Sequence, residues 1–447
     1  MGGSSPAQNR IHSDTYRFFL DLWYTPGMDS DNALVKFPAQ MWHIIKATLL
    51  RSKINILLFC VPIGLVAGMT GMDPVAVFVI NFFAIIPLAA VLSNATEDIS
   101  AKLGEQLGGL LNATFGNAVE LIVSVIALKE RQYAVVKSSM IGSILSNLLL
   151  VMGMCFFFGG LKNMRDDAAQ TTCSLLMLAA ASMVVPSALS MVMQSSSNND
   201  PDERQQTILN LSRGTAIILL IMYAFYLNFS LRTHHNLFVP KSKQQPQRSP
   251  GDEEEANGEV PVGSECEDEP LLGAWASGAI LIVTTVLVAV CADYLVDSID
   301  ALVERANISR NFIGLILIPI VGNAAEHVTA VVVAVKNNMD LAMQVAIGSS
   351  IQIAMFVTPF LVVLGWIMGH DMTMRFETFE TIAFILAVLV VIYTVQDGKS
   401  NYLEGVMLMA MYVIIAVAFF AAPSDGLSNE DAGLDAFKAA IKSSIPS

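Results

Sequence analysis

Residues 116–128 read GNAVELIVSVIAL, and residues 322–334 read GNAAEHVTAVVVA. The two stretches lie 206 residues apart, and each sets one glutamate inside an apolar run long enough to cross a bilayer. A carboxylate in such a run is costly, and it persists where it faces a partner, an ion or water. Two of them, at matching places in two halves of one chain, predict a single cation site built where the halves meet.

The same offset of 206 brings Gly142-Ser143 onto Gly348-Ser349 and Ser146 onto Gln352 without a gap. Beyond the motifs, eleven apolar runs reach spanning length, roughly 54–72, 74–96, 106–128, 138–161, 169–193, 213–231, 273–299, 311–335, 340–369, 378–396 and 402–422. The expectation is an all-α, polytopic membrane protein of about 11 transmembrane helices, one extra helix plus two inverted five-helix repeats. An odd number of helices per half forces the halves into opposite orientations. The units expected are an N-terminal segment 1–53, the extra helix 54–73, a first repeat 74–231, a polar linker 232–272, a second repeat 273–422 and a tail 423–447.

Composition agrees. Of 447 residues, 54% are hydrophobic and only 14% charged, against about 25% charged in soluble domains. The net charge of -14 leaves nothing to neutralise phosphates at scale, which excludes nucleic acid as a partner, and it suits cations. Cys60, Cys155, Cys173, Cys266 and Cys291 are odd in number and show no CxxC spacing, so they read as reduced packing residues. The first 50 residues hold no apolar core behind a basic start, so no signal peptide is expected. With the N-terminus cytosolic, cytosolic segments hold 15 of the 25 Lys and Arg, which favours N-terminus and linker inside and C-terminus outside.

The chemistry concentrates in the repeated motif. Asn117, Glu120 and Ser124 are spaced i, i+3, i+7, and Asn323, Glu326 and His327 i, i+3, i+4, so each set shares a helix face. Each opens on a glycine, and Pro319 precedes the second, allowing a bent or broken helix whose carbonyls point at an ion. Two carboxylates with amide and carbonyl oxygens suit a hard divalent cation, Ca2+ above all. Two like charges in a low dielectric cannot both stay ionised without the metal, so the same pair carries H+. Metal and proton then compete for one site, which is what antiport requires. Glu120 and Glu326 are the candidate metal residues.

His327 reads either as a group that joins the proton exchange or as a hydrogen-bonded packing histidine. Ser143, Ser146, Asn147, Ser349 and Gln352 read either as an outer shell or as polar bridges between helices. Asp293 is the deepest remaining carboxylate and a candidate for an access path or a paired charge. In the linker, Asp252, Glu253, Glu254 and Glu255, with Glu265, Glu267, Asp268 and Glu269, form either a solvated acidic segment or a Ca2+ collector, without EF-hand spacing.

These residues resemble a known family. GNAVELIVSVIALK with GSILSNLLLVMG, and IGLILIPIVGNAAEHVTAVVVAVK with MDLAMQVAIGSSIQIAMFVTPF, are similar to the calcium/proton exchanger (CAX) family of the calcium/cation antiporter superfamily. NFFAIIPLAAVLSNATED, LSRGTAIILLIMY, HHNLF and YLEGVMLMAMY bring it near the fungal vacuolar members. The resemblance implies eleven helices, Glu120 and Glu326 as central cation and proton residues, flanking Asn117 and Asn323, and the histidine at 327. It also implies regulatory Ca2+ on an acidic linker helix, although Gly258, Pro261 and Gly263 interrupt this one, and residence in an acidic organelle, chiefly the vacuole. The activity it implies is secondary transport, not enzymology: cytosolic Ca2+ enters in exchange for H+, with Mn2+ as a plausible co-substrate of an oxygen-lined site and no cofactor. A sodium-coupled exchanger of the same superfamily and a carboxylate-lined cation channel remain alternatives. The sequence carries no signal for an oligomeric state.

Overall fold

The computed structural model describes residues 25–26, 32–161, 165–166, 180, 183–184, 201–228, 231, 273–306, 308–395, 399–400 and 402–421. The fifth expected span and the acidic linker therefore lie outside the described residues, except for Ala180, Met183 and Val184 within that span. The described chain is almost entirely helical; one antiparallel pair, Arg165 with Ser400 and Asp166 with Lys399, joins two loops.

Among the described residues, seven helices are long and apolar enough to cross a bilayer, and two further bent helix pairs reach that length together. The expected 106–128 span is instead two short helices, α4 (Glu105–Phe115) and α5 (Ala118–Lys129), separated at Gly116 and Asn117. Its counterpart breaks at the same motif. A helical stretch ending in α12 (Ile318–Gly322) meets α13 (Ala324–Val335) at Asn323, with a bend of 58° over the pair. The earlier helices are α1 (Ala33–Arg51), α2 (Cys60–Met69) and α3 (Pro74–Leu103).

Two central helices bracket the breaks. The first runs from α6 (Tyr133–Leu145) through a π-turn at Ser146–Val151 into α7 (Met152–Gly160), and 78% of its most apolar window is buried. The second runs from α14 (Met339–Gln352) through a π-turn at Ile353–Val357 into α15 (Thr358–Met368). The two π-turns fall at equivalent repeat positions, directly beside Ser146 and Gln352. Wider turns of this kind mark functional stretches of helices. Pro359, lacking an N–H, removes the bond that the Met355 carbonyl would otherwise accept, which favours the second.

A third π-turn, Ile313–Leu317, precedes Pro319 for the same reason, and the Leu315 backbone it presents packs on Gly142. A Cβ at 142 would lie 2.6 Å from the Leu315 carbonyl carbon, so only glycine permits this crossing. Gly153 and Gly405 meet in the same fashion: a Cβ at 153 would stand 2.9 Å from the Gly405 oxygen, locking the last helix, Tyr402–Ala421, onto α7. Cys60, Cys155 and Cys291 are free thiols, in line with a packing role.

Candidate cation site

The two Gly-Asn breaks approach each other reciprocally. The carboxylate of Glu120 lies against Gly322, where an added Cβ would stand 3.0 Å from its Cδ. The carboxylate of Glu326 lies against Gly116, with Oε1 3.9 Å from the equivalent point. Gly322 thus makes room for Glu120, Gly116 leaves Glu326 at ordinary contact distance, and the two charges are near enough to repel. Local sequence explains the placement. Asn117 and Asn323 stand at the N-caps of α5 and α13, with φ near -101 and -85, so each glutamate falls in the first turn of a short helix. There the positive end of the helix favours negative charge.

Polar side chains tie the halves together around this pair. Asn117 donates from Nδ2 to Gln352 Oε1 at 2.6 Å and accepts at Oδ1 from Ser349 Oγ at 2.9 Å. Asn147 Nδ2 donates to Ser349 Oγ at 3.0 Å. Asn323 Nδ2 donates to Ser146 Oγ at 3.0 Å, and Ser146 Oγ donates to the Ser143 carbonyl at 3.2 Å. The structure therefore joins the two repeats through two separate hydrogen-bond chains, Gln352–Asn117–Ser349–Asn147 and Asn323–Ser146–Ser143.

These bonds leave oxygens over. Glu120 Oε1, Glu326 Oε2, Ser143 Oγ, Asn147 Oδ1 and Asn323 Oδ1 are buried and find no hydrogen-bond partner among the described residues. Buried polar atoms are nearly always satisfied, so these five oxygens, two of them on the carboxylates, are free to act as cation ligands. Among the described residues no three His, Cys, Asp or Glu side chains converge. The shell is built of carboxylate, amide and hydroxyl oxygens, which suits Ca2+ rather than zinc or copper.

Glu326, Ser349 and Gln352 also face a cavity of about 240 Å³. Its outer wall carries Glu97 and Asn112 from the first half and Gln344 from the second. Glu120 does not line it and is 5% exposed. One carboxylate of the pair thus lines the cavity while the other does not.

Three expected residues sit elsewhere or differently. Asp293 lies outside both hydrogen-bond chains, on Ala274–Asp297, with its carboxylate 3.9 Å from Lys129 Nζ and 43% exposed. Of the two readings its depth allowed, an access path or a paired charge, this contact matches the second. Lys129, just past the span, is held above its usual ammonium range by its bond to Glu130 and by the charges of Glu130 and Asp293. Ser124 is buried one turn beyond Glu120. His327 is partly buried next to Glu326 on α13, and its Nε2 has no partner among the described residues.

A second buried polar group was not anticipated from sequence. Glu380, 1% exposed, accepts a bond from Ser138 Oγ and, at 3.3 Å, one from the Glu377 amide. Asn311 donates to Glu377, and Lys137 donates from Nζ to the Arg375 carbonyl at 3.0 Å, with the field of Glu380 acting on it. Glu380 falls within the first turn of an expected span, where a charge reads as an interface residue.

Comparison with known proteins identifies the family. Residues 74–232 and 276–421 match the family described as sodium/calcium exchanger protein. The chain is 46% identical over 378 residues to a vacuolar calcium ion transporter of Schizosaccharomyces pombe, covering 85% of this chain and 87% of that one. It is 43% identical over 367 residues to a Ca2+/H+ antiporter of Aphanothece halophytica, covering 82% and 96%. Among solved structures, the Ca2+/H+ antiporter protein YfkE superposes with a TM-score of 0.65 at 34% identity, covering 83% of this chain and 99% of that one. An H+/Ca2+ exchanger at 11% identity, with a TM-score of 0.58 and coverage of 87% and 96%, shares the fold. With more than half of its length matched and relatives of this identity spanning most of it, the chain belongs to the sodium/calcium exchanger protein family.

Proposed function

We propose that this protein is a proton-coupled calcium antiporter of the vacuolar membrane. It takes up cytosolic Ca2+ and exchanges it for lumenal H+ by alternating access at Glu120 and Glu326. The observation that carries this reading is the reciprocal seating of each glutamate against the other copy's glycine, with an unsatisfied buried oxygen on each. The names of the relatives, vacuolar calcium ion transporter and Ca2+/H+ antiporter, point to the same substrates and compartment.

The chemistry follows from the pair. With Ca2+ between them, both carboxylates are ionised and the ion's two charges balance theirs. Without it, two anions at this separation in a dry pocket repel, and protons restore neutrality. Either loaded form crosses near neutral; the empty, doubly charged form does not. The cavity reaching Glu326 past Glu97, Asn112 and Gln344 serves as the access route, and a cytosolic N-terminus, favoured by the Lys and Arg bias, turns it toward the cytosol. Mn2+ also fits an oxygen shell of this kind. The acidic residues 252–255 and 265–269, outside the described residues, serve as regulatory Ca2+ ligands in this reading.

The test is uptake of labelled calcium into reconstituted vesicles with the pH gradient set and then collapsed. Uptake should appear with the gradient and stop with its collapse. Uptake driven equally by a sodium jump without a pH gradient would replace the reading with sodium coupling.

A further inference from the structure

The first described helix, Ala33–Arg51, stands at 118° to the apolar stretch that follows it, Lys53–Met69. That stretch is apolar enough to enter the bilayer, so α1 runs nearer the membrane plane than its normal. Its exposed side is apolar. Phe37, Met41, Ile45 and Leu49 recur every fourth residue and are 66%, 44%, 46% and 40% exposed, with Trp42 beside them at 60%. Ala39 and Ala47, on other faces, are buried. A stripe of large apolar groups turned away from the protein calls for a cover.

Charge identifies the cover. Residues 33–53 carry Lys36, Lys46, Arg51 and Lys53 and no Asp or Glu, in a chain whose net charge is -14. An apolar face with a local excess of basic residues is the composition of a helix lying in an anionic headgroup layer. The position of α1 adds a consequence. Arg51 bonds Asp98 at 2.8 Å, and Asp98 adjoins Glu97 on the cavity wall. The helix is thus fastened at the mouth of the path to Glu326.

We propose that α1 is a membrane-interface helix, seated in the leaflet at the cavity mouth, whose basic residues select anionic phospholipid headgroups. Phe37, Met41, Ile45 and Leu49 enter the acyl boundary, while Lys36, Lys46 and Lys53 meet the phosphates. The leaflet then holds Arg51, and through Asp98 the rim of the access path.

The experiment places a polarity-sensitive fluorophore at Met41→Cys in the full chain with its other cysteines replaced. The protein is reconstituted in phosphatidylcholine vesicles with and without phosphatidylserine. Nitroxide-labelled versions of each lipid serve as quenchers. The proposal expects a blue-shifted label, quenched several-fold more strongly by the anionic lipid. Neutralising Lys36→Gln, Lys46→Gln and Lys53→Gln together should erase that several-fold preference, while quenching by phosphatidylcholine persists. Four outcomes overturn it. A water-like spectrum places the face in solvent. Equal quenching by both lipids removes headgroup selection. A blue-shifted label that no lipid quenches until residues 1–24 are deleted makes the chain's own N-terminal segment the cover. One that no lipid quenches until the protein is diluted in lipid makes a second copy the cover.

Discussion

A carboxylate oxygen left without a donor inside a protein destabilises it unless something positive arrives, and both Glu120 and Glu326 have one. Each is therefore poised for exchange rather than for static pairing. Glu120→Gln and Glu326→Gln should each abolish proton-driven calcium uptake while leaving the purified protein folded; retained uptake in either variant removes that residue from the centre. Ser349 both donates to Asn117 and accepts from Asn147. Ser349→Ala should weaken apparent calcium affinity by about 10- to 100-fold, the usual effect of losing an outer-shell bond, and isothermal titration would read it. The glutamates and their asparagines were legible because the motif occurs twice, and polar groups in apolar runs stand out. Ser349 and Gln352 were legible through the same offset. For Asp293 the sequence left open an access path or a paired charge, and the structure sets it 3.9 Å from Lys129. Glu380 and Lys137 passed unnoticed because they lie near helix ends, where a charge looks like an ordinary interface residue.

The elements that matter are the interrupted ones. Glycine at 116 and 322 and Pro319 allowed for two broken helices, and the breaks fall at those glycines and the asparagines after them. The three π-turns were invisible in the periodicity, since one extra residue per turn only shifts the register slightly. Their causes are visible afterwards in Pro319 and Pro359; the one at Ser146–Val151 has no proline, and nothing in the structure explains it. The buried Lys137, Glu380, Glu377 and Asn311 group ties α6 to the helix Thr378–Val395 and to the start of the second broken helix. Lys137→Met should destabilise the protein by about 1–3 kcal/mol, by removing the Lys137 donor from the Arg375 carbonyl and a neighbouring positive field from Glu380. Adding Glu380→Gln should recover part of that loss in a thermal unfolding series. Equal stability of the single and wild-type proteins would show that the two do not interact.

For the whole molecule, the spans described do not by themselves fix the number eleven. One expected span lies almost wholly outside the described residues and another is split in two. What energetics fixes is the coupling. A ten-thousand-fold calcium gradient is four decades at about 1.4 kcal/mol each, or about 5.5 kcal/mol. A proton crossing two pH units returns about 2.7 kcal/mol. A lumen-positive voltage opposes the two charges of calcium and favours each proton leaving, so at two protons the voltage contributions cancel and the exchange barely balances. More than two protons per calcium are therefore expected wherever gradients of that size are sustained. Simultaneous flux measurements give the ratio, and a ratio of one contradicts the account.

The central claim is that calcium and protons hold the same two carboxylates in turn. The most direct measurement is proton release on calcium addition to the purified protein in weakly buffered solution, across an acid-to-neutral pH series. The account predicts release that rises as the pH falls, scales with calcium bound, and disappears in Glu120→Gln/Glu326→Gln. Calcium binding that displaces no protons at any pH, or release undiminished in that double variant, would contradict it.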